Sequence, residues 1–170
     1  IDILFVGHML HYPNIDGLDY FIKKIFPLIV EENANVKFYI VGSNINDAGL
    51  EIKDNSNIEI IGEVQDTRPF LAKTKVMVAP IRLGGGIKVK ILEAMAMGVP
   101  IVATSAASKG LQAIAGKDIC IADSPRDFAL QVLGLIDDEA KRKAIAKNAR
   151  EVVEKYYDLN SLADKEDSLY

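Results

Sequence analysis

Short apolar runs alternate along the chain with stretches whose apolar residues recur every three or four positions. Ile3-Leu4-Phe5-Val6 is a continuous apolar run that stops at Gly7, which predicts a strand buried on both faces. Beyond a turn at Tyr12-Pro13-Asn14, the residues Ile15, Leu18, Ile22, Ile25 and Ile29 line one face of a helix. Pro27 falls inside that pattern and is expected to kink or loosen its last turn, because proline has no N–H for the helix ladder. Further apolar runs read as strands over Val36 to Val41, Ile58 to Ile61, Val76 to Ala79, Ile101 to Ala103 and Ile119 to Ile121. Asp66 is expected to cap a short helix running through Lys73. Ser124-Pro125-Arg126-Asp127 carries agreeing helix-start signals: a serine cap, proline in the first position and an acid three residues after the cap. Phe128, Val132, Leu135 and Ile136 form the buried stripe of that helix. A last helix from about Asp138 to Tyr156 turns Ile145, Ala149, Val152 and Tyr156 inward. Continuous apolar strands separated by helices predict an α/β fold: a doubly wound, Rossmann-like six-stranded parallel sheet with helices on both faces.

Composition narrows the class. The chain has 170 residues, 49% of them hydrophobic, with a net charge of only −4, so it is not a disordered chain. A domain of this size buries roughly 70% of its unfolded surface, enough for a core without staples. One domain over residues 1–170 is expected, with no repeat or linker. The single cysteine, Cys120 between Ile119 and Ile121, excludes a disulfide framework and reads as core. No apolar run approaches the about 20 residues of a transmembrane helix. Acidic residues outnumber basic ones, 24 to 20, and no basic block occurs, which argues against a nucleic-acid partner. The chain opens inside a strand without an initiator methionine, so it is expected to be a piece of something longer.

In an open parallel sheet, ligands sit outside the carboxyl ends of the strands. The loop after the first strand, Gly7-His8-Met9-Leu10-His11, lacks the G-x-G-x-x-G of dinucleotide binders, and no Walker A loop occurs. A phosphoacceptor domain needs acids after its first and third strands; here stand Gly7-His8 and Gly62-Glu63, and Glu63 alone is not enough. No metal constellation stands out, since His8 and His11 share a turn with no acid or cysteine beside them. His8 ends a strand, where it is placed to contact phosphate or sugar.

The informative loop follows the fourth strand. Gly84, Gly85 and Gly86 precede a helix, with Arg82, Lys88 and Lys90 around the same turn. Glycines let backbone approach a ligand, and a helix N-terminus favours an anion. The loop reads as a diphosphate cradle or, alternatively, as a surface turn with solvated charges. Glu93 sits among Ile91, Leu92, Ala94, Met95, Ala96 and Met97, a helix apolar nearly all round and therefore expected to be buried. A carboxylate there needs a partner. It either leans back toward the glycine loop to accept hydrogen bonds from sugar hydroxyls or pairs with Lys88 or Lys90.

The stretch Glu93-Ala94-Met95-Ala96-Met97-Gly98-Val99-Pro100-Ile101-Val102-Ala103-Thr104, with the glycine loop before it, resembles the donor-binding C-terminal domain of the retaining group 1 glycosyltransferases of GT-B fold. Phe5-Val6-Gly7 resembles the family's first strand, and Pro13-Asn14 with the helix after it, Ile61-Gly62-Glu63-Val64 with Asp66, and Val78-Ala79-Pro80 are similar to an exopolysaccharide-type branch of that family. The resemblance extends to Tyr156-Tyr157 and so covers about the whole chain.

The resemblance implies a nucleotide-diphosphate sugar as donor, UDP- or GDP-linked, and no cofactor. It places Glu93 on the ribose, the backbone of Gly84, Gly85, Gly86 and Ile87 on the diphosphate and donor sugar, and Glu63-Val64 near the base, with Gly7 and His8 at the cleft. Arg82 and Lys88 would stabilise the leaving phosphate, joined by Lys90. It also implies an N-terminal acceptor domain in a protein of about twice this size, a saccharide or lipid-linked acceptor, and a cytoplasmic location at the inner membrane face. Two departures stand out. The family's usual first glutamate, eight positions before the second, is here Gly85, and its usual arginine after the first strand's glycine is here His8. The alternative is a non-catalytic nucleotide-binding or assembly module derived from the same fold.

Overall fold

The computed structural model describes residues 1–50, 52, 55–86 and 88–157. The strands are β1 (Ile3–Val6), β2 (Phe38–Val41), β3 (Ile58–Gly62), β4 (Val76–Ala79), β5 (Ile101–Ala103) and β6 (Cys120–Ile121). They form one sheet in the order β3-β2-β1-β4-β5-β6, and every pairing is parallel. Ile3, Leu4 and Phe5 are all fully buried although successive side chains point to opposite faces. Both sheet faces are therefore covered, as the continuous apolar runs require.

The first helical stretch is not regular. α1 (Tyr12–Tyr20) passes into a π-helical turn (Phe21–Ile25) and then α2 (Phe26–Glu32). In the π turn the Phe26 N–H donates to the Phe21 carbonyl, one residue further back than in an α-helix. The proline effect thus falls just before Pro27, whose missing N–H starves the preceding turn of a donor, and the helix continues beyond it. Phe21, Phe26, Phe38 and Phe128 pack as one aromatic cluster, with neighbouring ring centroids 4.8–6.1 Å apart.

The remaining helices are α3 (Arg68–Leu71), α4 (Val89–Ala96), α5 (Ser105–Ser108), α6 (Pro125–Asp137) and α7 (Glu139–Tyr156). α6 packs on α2, on the π turn and on β4 and β5, and α7 packs on α4. The start of α6 is as expected: Ser124 Oγ accepts from the Asp127 N–H, and Phe128, Val132, Leu135 and Ile136 are buried. Asp138 caps α7 through the Lys141 N–H, and Ile145, Ala149 and Val152 are buried, with Tyr156 half-buried.

Two expectations need correction. Asp66 does not cap α3; Thr67 holds that position, and the Asp66 carboxylate accepts instead from the Arg68 N–H and Nε. Nor is α4 buried all round. Ile91, Ala94 and Met95 face inward, whereas Glu93, Ala96 and Met97 are exposed. The helical period of 3.6 residues turns Glu93 away from the 91/94/95 stripe, so apolar neighbours in sequence do not surround it in space.

Candidate functional site

The strand order reverses between β1 and β4: the chain steps outward from β1 through β2 to β3 at one edge, then from β4 through β5 to β6 at the other. Loops leaving the two strands diverge there and open a crevice at their carboxyl ends. A cleft of about 470 Å³ occupies this place. One wall is Gly7, His8, His11 and Asn14, from the β1–α1 loop and the first turn of α1. The opposite wall is Gly85, Lys88, Val89 and Lys90, from the glycine loop and the start of α4. Gly42 and Ser43 follow β2, and Glu63, Val64 and Thr67 follow β3, at the end about 10 Å from β1.

The floor depends on side-chain-free backbone. A Cβ on Gly42 would lie 1.7 Å from the Gly7 carbonyl oxygen, so no other residue fits there. In the glycine loop, Gly84 and Gly86 have φ of 89° and 77°, a left-handed conformation that side chains disfavour. Ile87 lies outside the described residues.

Two helix N-termini converge on the cleft. Neither α1, preceded by His11, nor α4, preceded by Lys88, has a side-chain cap. Their dipoles leave partial positive charge at the mouth, although in α1 Pro13 has no N–H and the Asn14 N–H donates to the His11 carbonyl. Lysines add to it. Lys88 Nζ donates to the Gly85 carbonyl at 2.9 Å and curls over the loop. Lys90 Nζ donates to Asn14 Oδ1 at 2.6 Å and lies 4.9 Å from the centroid of the Phe5 ring. Lys90 is half-buried, and burial first, with repulsion from Lys88 adding, lowers its ammonium to about 8. Each lysine amine thus rests on a neutral oxygen.

The cleft brings together Gly7, His8, Glu63, Val64, Gly85, Lys88 and Lys90 of the residues singled out in the sequence. Gly84 and Gly86 flank it in the same loop. Arg82 does not line it. Its guanidinium donates to both carboxylate oxygens of Asp16 on α1, at 2.6 and 3.1 Å, and stacks 4.3 Å from the Tyr20 ring centroid. Glu93 is also off the lining. It stands one turn along α4 from Val89, which is 65% exposed at the rim. Among the described residues its carboxylate has neither hydrogen bond nor ion pair, so the pairing with Lys88 or Lys90 does not occur.

Asn14, which in the sequence reads only as part of a turn, also lines the cleft. Asn14, Gly17, Leu18 and Phe21 share the helical spacing and are all buried. A polar residue on that face must satisfy its amide internally.

Residues 1–138 match the sequence pattern of the family described as glycosyl transferases group 1. The chain belongs to the group 1 glycosyltransferases. Relatives include a 44.6 kDa protein of the cps region of Klebsiella pneumoniae, 28% identical over 92% of this chain and 42% of its own length. A glycosyltransferase of Methanocaldococcus jannaschii is 28% identical over 90% of this chain and 43% of its own. The chain thus spans less than half the length of these curated relatives. Among solved structures, TarM of S. aureus, in a complex that contains UDP, matches with a TM-score of 0.81 at 22% identity, over 99% of this chain and 35% of that one. Anabaena HepE in complex with UDP matches at 0.69 and 17%, over 98% of this chain and 48% of that one. The C-terminal domain of a group 1 protein, LpcC, from Francisella tularensis matches at 0.72 and 18%, over 92% of this chain and 86% of that one. The likeness extends to the GT-B enzymes' Rossmann-like half with its all-parallel sheet. Among the described residues, no helix is long and apolar enough to cross a membrane.

Proposed function

We propose that this chain is the donor-binding half of a retaining glycosyltransferase. It holds a nucleotide-diphosphate sugar in the β1/β4 cleft, with UDP or GDP as carrier. The observation that carries this reading is Lys90, a half-buried cation at the switch point, held by a neutral amide and flanked by two uncapped helix N-termini. A diphosphate supplies the counter-charge such a site lacks. TarM and HepE, of the same fold, are complexed with UDP.

Breaking the anomeric C–O bond leaves negative charge on the diphosphate. Fixed dipoles of α1 and α4 and the ammonium groups of Lys88 and Lys90 stabilise that charge more in the transition state than in the bound substrate. The backbone of Gly84, Gly85 and Gly86 approaches the phosphates and sugar, and His8 contacts one or the other. Glu93, exposed and without a partner, accepts hydrogen bonds from the ribose hydroxyls beside Val89. Glu63 and Val64 lie toward the base. Arg82 is occupied by Asp16, so in this scheme it shapes the loop rather than meeting phosphate. The hexosyl group passes to a saccharide or lipid-linked acceptor held by a separate N-terminal domain, in polysaccharide synthesis on the cytoplasmic side of a membrane.

Calorimetry with UDP, GDP and ADP tests the donor site. Weak binding of UDP or GDP is expected, reduced about tenfold or more in Lys90→Glu or Glu93→Ala. Absence of binding to all three nucleotides would instead favour the non-catalytic assembly module. The 170-residue chain alone is expected to transfer no sugar in a donor-turnover assay.

A further inference from the structure

Asn14 is buried, yet both ends of its amide are committed. Nδ2 donates to the His8 carbonyl at 2.9 Å, and Oδ1 accepts from Lys90 Nζ at 2.6 Å. The assignment of the two ends is forced by chemistry. An ammonium only donates, so an oxygen must face it; a carbonyl only accepts, so the NH₂ must face that. The amide therefore links three parts of the cleft: the loop after β1, the first turn of α1 and the first turn of α4. An aspartate of the same shape would also hold Lys90, but would neutralise it.

We propose that Asn14 is a positioning residue, which fixes Lys90 in the cleft through a neutral oxygen so that the ammonium's charge remains for an anionic ligand. The inference rests on the donor-site reading for the identity of that ligand, a diphosphate, but not for the contact itself. The other charged or titratable groups around Lys90 are Lys88 before α4, His8 and His11 on the β1–α1 loop, and Glu63 beyond β3. Asp16, the acid nearest along α1, is taken by Arg82. None of the acids substitutes for the missing counter-charge, and the Phe5 ring beneath the ammonium offers only its π face.

The test measures UDP and pyrophosphate affinity of wild type, Asn14→Asp, Asn14→Ala and Lys90→Arg from pH 7 to 10. In wild type, affinity is expected to fall as pH rises through about 8, where Lys90 loses its proton. Asn14→Asp is expected to weaken both ligands about tenfold or more and to move that midpoint upward, because the added charge both competes with phosphate and holds the proton. Asn14→Ala is expected to lose affinity for want of the tether. It should also shift the midpoint, because the ammonium loses the oxygen that accepts from it. Lys90→Arg should show no midpoint in this range. A purely structural amide predicts something else: reduced folding stability in the variants, but an unmoved midpoint. Folded Asn14→Asp with wild-type affinity and midpoint overturns the proposal; if that variant does not fold, the same result in Asn14→Ala does so. Should wild type bind neither ligand, the donor-site reading falls. The positioning role is then decided by NMR titration of the Lys90 amine, with an identical midpoint in wild type and variants overturning it.

Discussion

Burial holds the Lys90 ammonium near 8 in the folded chain, against an ordinary value of 10.5. Between those values the unfolded chain binds more protons than the folded one, so the stability owed to this residue rises with pH across that window. Below about 8 both states are charged, and the folded state bears the full cost of a buried ammonium. Urea unfolding of wild type and Lys90→Met at several pH values should therefore show the wild type gaining on the variant from about pH 8 to 10.5. A difference that stays constant with pH would mean that Lys90 is effectively solvated. The cleft cation is thus maintained at the expense of stability, a common condition of binding sites. Lys88 and Lys90 could be picked out in the sequence because they follow three glycines. The Asp16–Arg82 pair could not, because it joins residues 66 positions apart that only the packing of α1 against the β4 loop brings together.

At the scale of elements, the helix signals that lie in local chemistry were the most legible. Ser124, Pro125 and Asp127 specify the start of α6 within four residues, and the Ser124 Oγ also donates to Asp127 Oδ2 at 2.7 Å. Ser124→Ala is expected to cost about 1 kcal/mol and to lower Tm by about 2–4 °C, with nucleotide affinity unchanged, as thermal melts and calorimetry would report. Signals that depend on how an element turns in space were less legible. The 91–97 segment reads as apolar on every side, yet only its 91/94/95 stripe meets the core. The π turn shifts the register between α1 and α2, so Phe21 and Phe26, outside the isoleucine pattern, take central places in the aromatic cluster. Short α5 has no apolar periodicity to mark it in the sequence. Its definition comes from the Thr104 cap, which accepts from the Ala107 N–H while its own hydroxyl donates to the Ile81 carbonyl.

For the whole molecule, apolar run lengths and the intervening helices were enough to foresee a six-stranded parallel sheet, but not its strand order. That order decides which loops face one another, and so why the residues after β1, β2, β3 and β4 meet in one cleft while those after β5 and β6 do not. It also sets β6 at the opposite edge from β3, two strands beyond β4. β6 has only two residues and pairs with β5 alone. Its first residue is Cys120, the chain's single thiol, 2% exposed, with burial raising its pKa. That arrangement makes the thiol a built-in clock for fraying of the far edge. Modification by an aromatic disulfide reagent requires the edge to open first. Because the edge is remote from the cleft, saturating UDP should leave the labelling rate unchanged. A rate that slows with nucleotide would reveal that the sheet opens as a single cooperative unit.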